Sequence, residues 1–251
     1  MLMYPTVEKL ERLRLTGMAA ALREQLEMDG VEQMSFEERL GLLIDRESTV
    51  RESRRMKTRL KKAKLRQNAC IEDIDFSHPR GLDRSLVMHL ANCQWIAKHH
   101  NLIITGPTGV GKSYLACAFG NKACREGFTT AYHRVSRLFE ELSLAKGDGR
   151  YVKLLKAISK TDLLILDDYG LSRLNKEQSH DFLEILEDRY GLRSTLVTSQ
   201  LPLKHWHEQI GDLTLADAIL DRLVHNAYKI NMDGESMRKK KVDLTLNKQV
   251  S

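Results

Sequence analysis

The sequence predicts an α/β protein, a mainly parallel sheet covered by helices on both faces, preceded by a small all-helical domain. Three observations carry this expectation. From Asn101 onward, short apolar runs alternate with helix-like stretches, as in a parallel sheet. Before that, from Val7 to Leu65, nothing reads as a strand. Within the alternating region, Gly106-Pro107-Thr108-Gly109-Val110-Gly111-Lys112-Ser113 is a complete phosphate-binding loop of the form G-x-x-x-x-G-K-[ST].

The helical region opens with Val7, Leu10, Leu13, Met18, Leu22 and Leu26 near helical spacing, charges filling the gaps. Asp29-Gly30 breaks the pattern. Ser35 and Glu38 then form a capping box for a helix that carries Leu40, Leu43 and Ile44. Residues 1–68 are expected to be this domain, serving partner or DNA interaction, with its apolar stripe read as a private core in preference to a partner groove. Residues 69–80, containing CIEDIDFSHPR, read as a connector into an 81–251 domain. A helix is expected from about Leu82 to Ile96. Strands are expected at 101–105, 129–134, 162–167, 194–200 and 228–232. Helices are expected at 113–122, 136–144 and 151–159, and from the Asn175 cap to Tyr190. Short helices fill the stretch from Pro202 to Leu223.

The loop at 106–113 predicts nucleoside triphosphate binding through Gly106 to Tyr114. Its glycines let the backbone turn tightly and bring N–H groups to phosphate oxygens. Lys112 supplies a charge for the β/γ-phosphates, and Ser113 a hydroxyl for Mg²⁺. The apolar run ahead of the loop and the helix-like stretch behind it supply the strand–loop–helix context that the motif requires.

Leu163-Leu164-Ile165-Leu166-Asp167-Asp168 is a buried strand whose carboxyl end reaches the ligand crevice. Asp167 is then suited to the Mg²⁺ shell, and Asp168 to polarising an attacking water as general base. The alternative, a pair of helix-capping acids beyond a strand, is the weaker reading beside a P-loop. Fifty-five residues separate Lys112 from Asp167, room for one further strand and two helices. That favours ATP hydrolysis coupled to motion over a small-molecule kinase. No N-K-x-D motif for guanine follows. Thr195 to Gln200 is a strand with a polar end, which suits a contact to water or γ-phosphate and equally a strand end meeting solvent.

At 42% hydrophobic and 29% charged, the 251 residues have the composition of a soluble globular protein. No apolar run nears the roughly 18 residues that span a bilayer, so no membrane contact and a cytoplasmic location are expected. The cysteines, Cys70, Cys93, Cys117 and Cys124, form no C-x-x-C pair; Cys117 and Cys124 read as buried thiols of the P-loop helix. The net charge of +6 is unevenly spread: residues 54–66 hold eight Arg or Lys and no acid, and Arg238-Lys239-Lys240-Lys241 form a second cluster. A solvated helix face accounts for one such run. Two beside a nucleotide site favour a surface for a phosphate backbone, with Arg54, Arg55, Lys61 and Lys62 as contacts.

The segments GPTGVGKS, LLILDDYG, TLVTSQLP and ILDRL, in this order, resemble AAA+ ATPases of the DnaC-like helicase-loader group, and most closely the IstB-type transposition helpers of insertion sequences. The leucine-rich N-terminal helix and the CIEDIDF connector before RGLDR share that resemblance. It implies a P-loop AAA+ sheet without a full C-terminal lid, ATP and Mg²⁺ as ligands, and a homo-oligomer on double-stranded DNA with ATP at subunit junctions. It also implies a DDE transposase (IstA-type) as partner. By position, Lys112 and Ser113 match Walker A, and Asp167 with Asp168 match Walker B. Gln200 falls where a sensor-1 asparagine often sits. Arg222 resembles an arginine finger reaching a neighbour's γ-phosphate, and Arg238 a sensor-2 group. A replicative helicase loader shares these motifs, and an architectural DNA-binding protein using nucleotide structurally is a further alternative.

Overall fold

A computed structural model describes residues 4–237. The chain forms two compact units, Met1–Thr58 and Arg59–Ser251.

The first unit contains helices α1 (Tyr4–Arg12) and α2 (Thr16–Glu27), a 3-10 turn at Val31–Gln33, and most of the long helix α3 (Phe36–Ala63). The capping box forms as the sequence predicts: Ser35 N donates to Glu38 Oε2 at 2.7 Å and Glu38 N to Ser35 Oγ at 3.2 Å. Helix α2 is preceded at its N-cap by Leu15, whose side chain cannot cap it. Its first N–H groups are satisfied from α3 instead, where Glu47 accepts from Gly17 N at 2.7 Å and Met18 N at 3.2 Å. A Cβ on Gly17 would lie 2.7 Å from Glu47 Cα, so the two helices touch backbone to backbone there. The apolar stripe is only partly a private core. Val7 is buried, but Leu13 and Leu26 are exposed and the interior is closed by Ala19 and Ala21. So close an approach admits small side chains and turns larger ones outward.

The second unit is built on strands β1 (Asn101–Thr105), β2 (Thr130–Arg134), β3 (Leu163–Tyr169), β4 (Ser194–Ser199) and β5 (Ala227–Asn231). They form one sheet in the order β2-β3-β4-β1-β5, parallel throughout. Both faces are buried, and the strands divide their apolar residues between them by alternation. Leu102, Ile104, Leu163, Ile165 and Leu196 enter one core. Ile103, Leu164, Leu166 and Val197 enter the other, with Phe182 and Trp206. Cys117 and Cys124 are buried in the helix that follows the P-loop. Arg189, fully buried, donates to the carbonyls of Ile158 and Thr161 at 2.7 and 2.8 Å, and burial pushes its guanidinium down to about 9.

The helix expected over 82–96 is two helices, α4 (Arg84–Leu90) and α5 (Gln94–Ala97). Cys93 lies in the left-handed region at φ 59° and breaks the run. The Leu90 carbonyl at the break accepts from Cys93 N at 3.1 Å and from Trp95 Nε1–H at 3.0 Å. The remaining helices are α6 (Lys112–Arg125), α7 (Val135–Gly147), α8 (Tyr151–Ser159), α9 (Lys176–Glu187) and α10 (Leu213–Val224). Helix α9 begins with a capping box between Asn175 and Gln178. Because α6 lies directly on β3, a Cβ on Gly120 would sit 2.7 Å from Ile165 Cδ1.

Candidate active site

The parallel strands end together, and the loops that follow them share one crevice. From the end of β1 the chain turns through Gly106, Gly109 and Gly111 at φ 148°, 90° and 105°, conformations that side chains rarely adopt. Gly111 caps α6, whose N-terminus then faces the loop. The glycines also admit the chain's own segment beyond β5. A Cβ on Gly106 would lie 2.2 Å from the Met232 carbonyl oxygen, and one on Gly109 would lie 2.1 Å from Ser236 Oγ. That segment is tied down by Met232 N to Thr105 O at 2.7 Å and Met237 N to Gly109 O at 3.0 Å. From the connector, Arg80 donates to Val110 O at 3.2 Å and Asp75 O at 2.6 Å. Lys112, nearly buried, donates through Nζ to the Gly106 and Pro107 carbonyls, both at 2.8 Å.

Asp167 is completely buried and accepts three hydroxyl hydrogen bonds: from Ser113 Oγ at 2.8 Å, Thr198 Oγ1 at 2.6 Å and Tyr132 OH at 2.5 Å. Burial first, and then the bond to Asp167, pushes the Tyr132 phenol well up, so it stays a neutral donor. Asp168 follows at φ 63°, where the β3–β4 register shifts between Leu166 and Tyr169. The left-handed residue and the irregular ladder break the alternation that would send successive side chains to opposite faces. Two arginines meet its carboxylate, Arg134 at 3.2 Å and Arg66 at 3.7 Å; Arg66 also stands 3.8 Å from Asp167.

Arg66, Arg134 and Asp168, beside the buried Asp167, open onto a cavity of about 480 Å³, a size that suits a nucleotide. Thr108, Gly109, Gly111, Lys112, Ser113, Tyr114, Asp168 and Gln200 line it, with Asp73, Asp75 and Arg80 of the connector. The glycine cradle, the lysine and the α6 N-terminus suit phosphate. The oxygen pair of Ser113 and Asp167 suits a hard divalent cation such as Mg²⁺.

Arg222 lies elsewhere. On α10, it bonds to Glu187 and, at 2.8 Å, to the Ala218 carbonyl. It lines a separate cavity of about 350 Å³ with Arg189 and Arg193. Its own carbonyl accepts from Asn101 Nδ2 at 2.9 Å, at the start of β1. Of the basic run, Arg54 donates to Thr16 Oγ1 at 2.6 Å, Arg55 stands 4.0 Å from Glu52, and Lys61 and Lys62 are exposed. Arg238 and the cluster it begins lie outside the described residues.

Sequence reasoning missed Tyr132, Thr198, Arg134, Arg66 and Arg80 as site residues. Arg134 and Thr198 had a signal, since each sits at or near the carboxyl end of a predicted strand. Arg66 had a misleading one, as the last member of a run read as a nucleic-acid surface.

Three comparisons bear on this site. The sequence pattern of the family described as IstB-like ATP binding protein matches residues 8–245. An insertion sequence ATP-binding protein of Sinorhizobium fredii, y4pL, is 55% identical over 239 residues, covering 95% of this chain and 98% of the relative. The ATP-binding protein of insertion sequence IS1162 of Pseudomonas fluorescens is 48% identical, covering 80% of this chain and 88% of its own length. Among solved structures, that of DnaI superposes with a TM-score of 0.58 at 26% identity, covering 66% of this chain and 91% of that one. The chain therefore belongs to the IstB-like ATP-binding protein family of insertion sequences.

Proposed function

We propose that the chain hydrolyses ATP, assembles copy on copy on double-stranded DNA, and serves as the helper of a DDE transposase. One observation carries the reading. Lys112, Ser113, Asp167 and Asp168 meet at the carboxyl end of the sheet, while the Arg222 backbone is bonded to Asn101 at its opposite end. The five residues of β1, roughly 17 Å, lie between. Arg222 therefore cannot reach its own chain's phosphates, and acts as an arginine finger only in a neighbour's site.

Lys112 would leave the Gly106 and Pro107 carbonyls for the β/γ-phosphates. Ser113 and Asp167 would hold Mg²⁺, which when bound neutralises charge on those phosphates. Asp168 would take a proton from the attacking water once Arg134 loosens its hold, and Gln200 would orient water or γ-phosphate from the same wall. The exposed Lys61 and Lys62, with Arg54 and Arg55, would meet the DNA backbone with little sequence preference.

Negative-stain imaging with duplex DNA, with and without ATP, tests the reading. Rings or filaments should form only with nucleotide, and Asp168→Asn should bind ATP, turn over slowly and hold the larger assemblies. Assembly on DNA indifferent to ATP would return the chain to an architectural role. The rival is a replicative helicase loader, which shares the ATPase motifs. The partner decides between them: capture of a hexameric helicase rather than a transposase would establish the rival.

A further inference from the structure

We propose that Arg66 is a γ-phosphate-binding residue acting within its own chain, held between Asp167 and Asp168 until the triphosphate arrives. This rests on the reading of the cavity as an ATP site.

The argument begins with how the residue is delivered. Helix α3 ends at Ala63, and Lys64 adopts the left-handed conformation at φ 51°, turning the chain sharply. Leu65 then packs into the core beside Gly120 of α6. The main chain at Arg66 is thereby anchored on the P-loop helix. Its side chain, 40% exposed, extends into the nucleotide cavity.

The guanidinium is well placed, and only its hold on the two carboxylates is loose. It stands 3.8 Å from Asp167 and 3.7 Å from Asp168, beyond hydrogen-bond length for both, and meets the Tyr132 hydroxyl. Arg134 differs: at 3.2 Å from Asp168 it is the tighter partner. Asp167 is moreover already satisfied by three hydroxyl donors, so it does not depend on Arg66 for hydrogen bonds.

Charge gives the direction of change. A divalent cation at Ser113 and Asp167 would repel Arg66, and a terminal phosphate beside it would attract it. Both push the guanidinium the same way, off the carboxylates and onto phosphate oxygens that its planar fork can grip bidentately. ADP presents no such group, so Arg66 discriminates the triphosphate from the diphosphate.

The test compares Mg²⁺-dependent binding of fluorescent ADP and of a fluorescent non-hydrolysable ATP analogue to the full chain. Arg66→Ala should weaken the ATP analogue about tenfold, equivalent to about 1.4 kcal/mol, and leave ADP within about twofold. Arg66→Lys should recover part of the loss, by restoring charge without the fork. Thermal melting checks the fold, and Arg66→Lys carries the test if the alanine variant fails to fold. Equal weakening of both nucleotides would reduce Arg66 to a structural role, and no weakening of either would remove it from the site; either outcome overturns the proposal. A wild-type chain that binds neither nucleotide, or a Lys112→Ala chain that binds both normally, would instead sink the assignment of the cavity itself, and the proposal with it.

Discussion

Ser113 Oγ donates to the Asp167 carboxylate at 2.8 Å, although β4 lies between β3, which carries Asp167, and β1, from which the loop leads to Ser113 in α6. The oxygens suited to a cation are thus brought together by hydrogen bonds of the protein itself, with Thr198 and Tyr132 fixing the carboxylate from other directions. A buried carboxylate is costly unless its lone pairs are satisfied, so these hydroxyls hold the site open for use.

Removing one of them should be felt in both stability and metal affinity. Thr198→Val keeps the shape and deletes a donor to a charged, buried acceptor, a loss of about 1.5–3 kcal/mol. Tyr132→Phe should act in the same direction. Chemical denaturation gives the first quantity, and a Mg²⁺ titration of ATP binding gives the second. Wild-type Mg²⁺ dependence in both variants would show that Asp167 needs neither hydroxyl to bind the cation.

Gly109→Ala should impair the loop for two separate reasons. Its φ of 90° strains any side chain, and the new Cβ would meet Ser236 Oγ at 2.1 Å. The backbone strain alone costs about 1–2 kcal/mol. Ser236→Gly in the same chain should relieve the clash but not the strain, recovering stability in part. Full recovery, seen by thermal melting, would mean the backbone conformation is not constrained there.

Arg222→Ala should leave ATP affinity of the isolated chain unchanged, since the residue lines a different cavity from Lys112. Turnover of the assembled protein should fall toward the ~10³-fold loss that removal of an arginine finger produces. An equal mixture of Arg222→Ala and Asp168→Asn chains should regain part of the activity, because some junctions then combine an intact Asp168 with an intact Arg222. No recovery on mixing would argue that Arg222 serves its own chain's fold.

Glu47 predicts a pH dependence confined to the first unit. The Arg51 guanidinium at 2.6 Å, helped by the Met18 and Gly17 N–H groups, holds its carboxyl below the usual range. A depressed carboxyl contributes stability above its unfolded value, and that contribution is lost as pH falls through the folded one. Glu47→Gln should therefore melt earlier at neutral pH and converge on the wild type below about pH 4. A gap that persists in acid would assign the effect to shape rather than charge.

Replacing Arg54, Arg55, Lys61 and Lys62 by alanine should weaken duplex binding and flatten its salt dependence. Four lost phosphate contacts would lower the slope of log K against log salt by up to ~3.6. The full change is an upper bound, because Arg54 is engaged with Thr16. An unaltered slope would make the run a solvated helix face.

Much of the site was legible because its parts are local. A P-loop is eight consecutive residues between a strand and a helix, and an apolar strand ending in Asp167-Asp168 announces itself wherever the chain goes. Element positions followed from periodicity, and failed where a single residue intervened: Cys93 in a left-handed conformation cut one expected helix into two. By the same token, the order β2-β3-β4-β1-β5 is written in no segment.

The sequence alone determined the parallel α/β fold, the phosphate loop, the acidic strand end and the family, since each depends on neighbours along the chain. Only the tertiary structure decided which donors hold Asp167, that Arg134 and Arg66 neutralise Asp168, and that Arg222 stands at the other end of the sheet from Lys112. Those relationships join residues from 31 to 121 positions apart. They arise when strands pair and loops converge, and spacing along the chain carries no record of that distance in space.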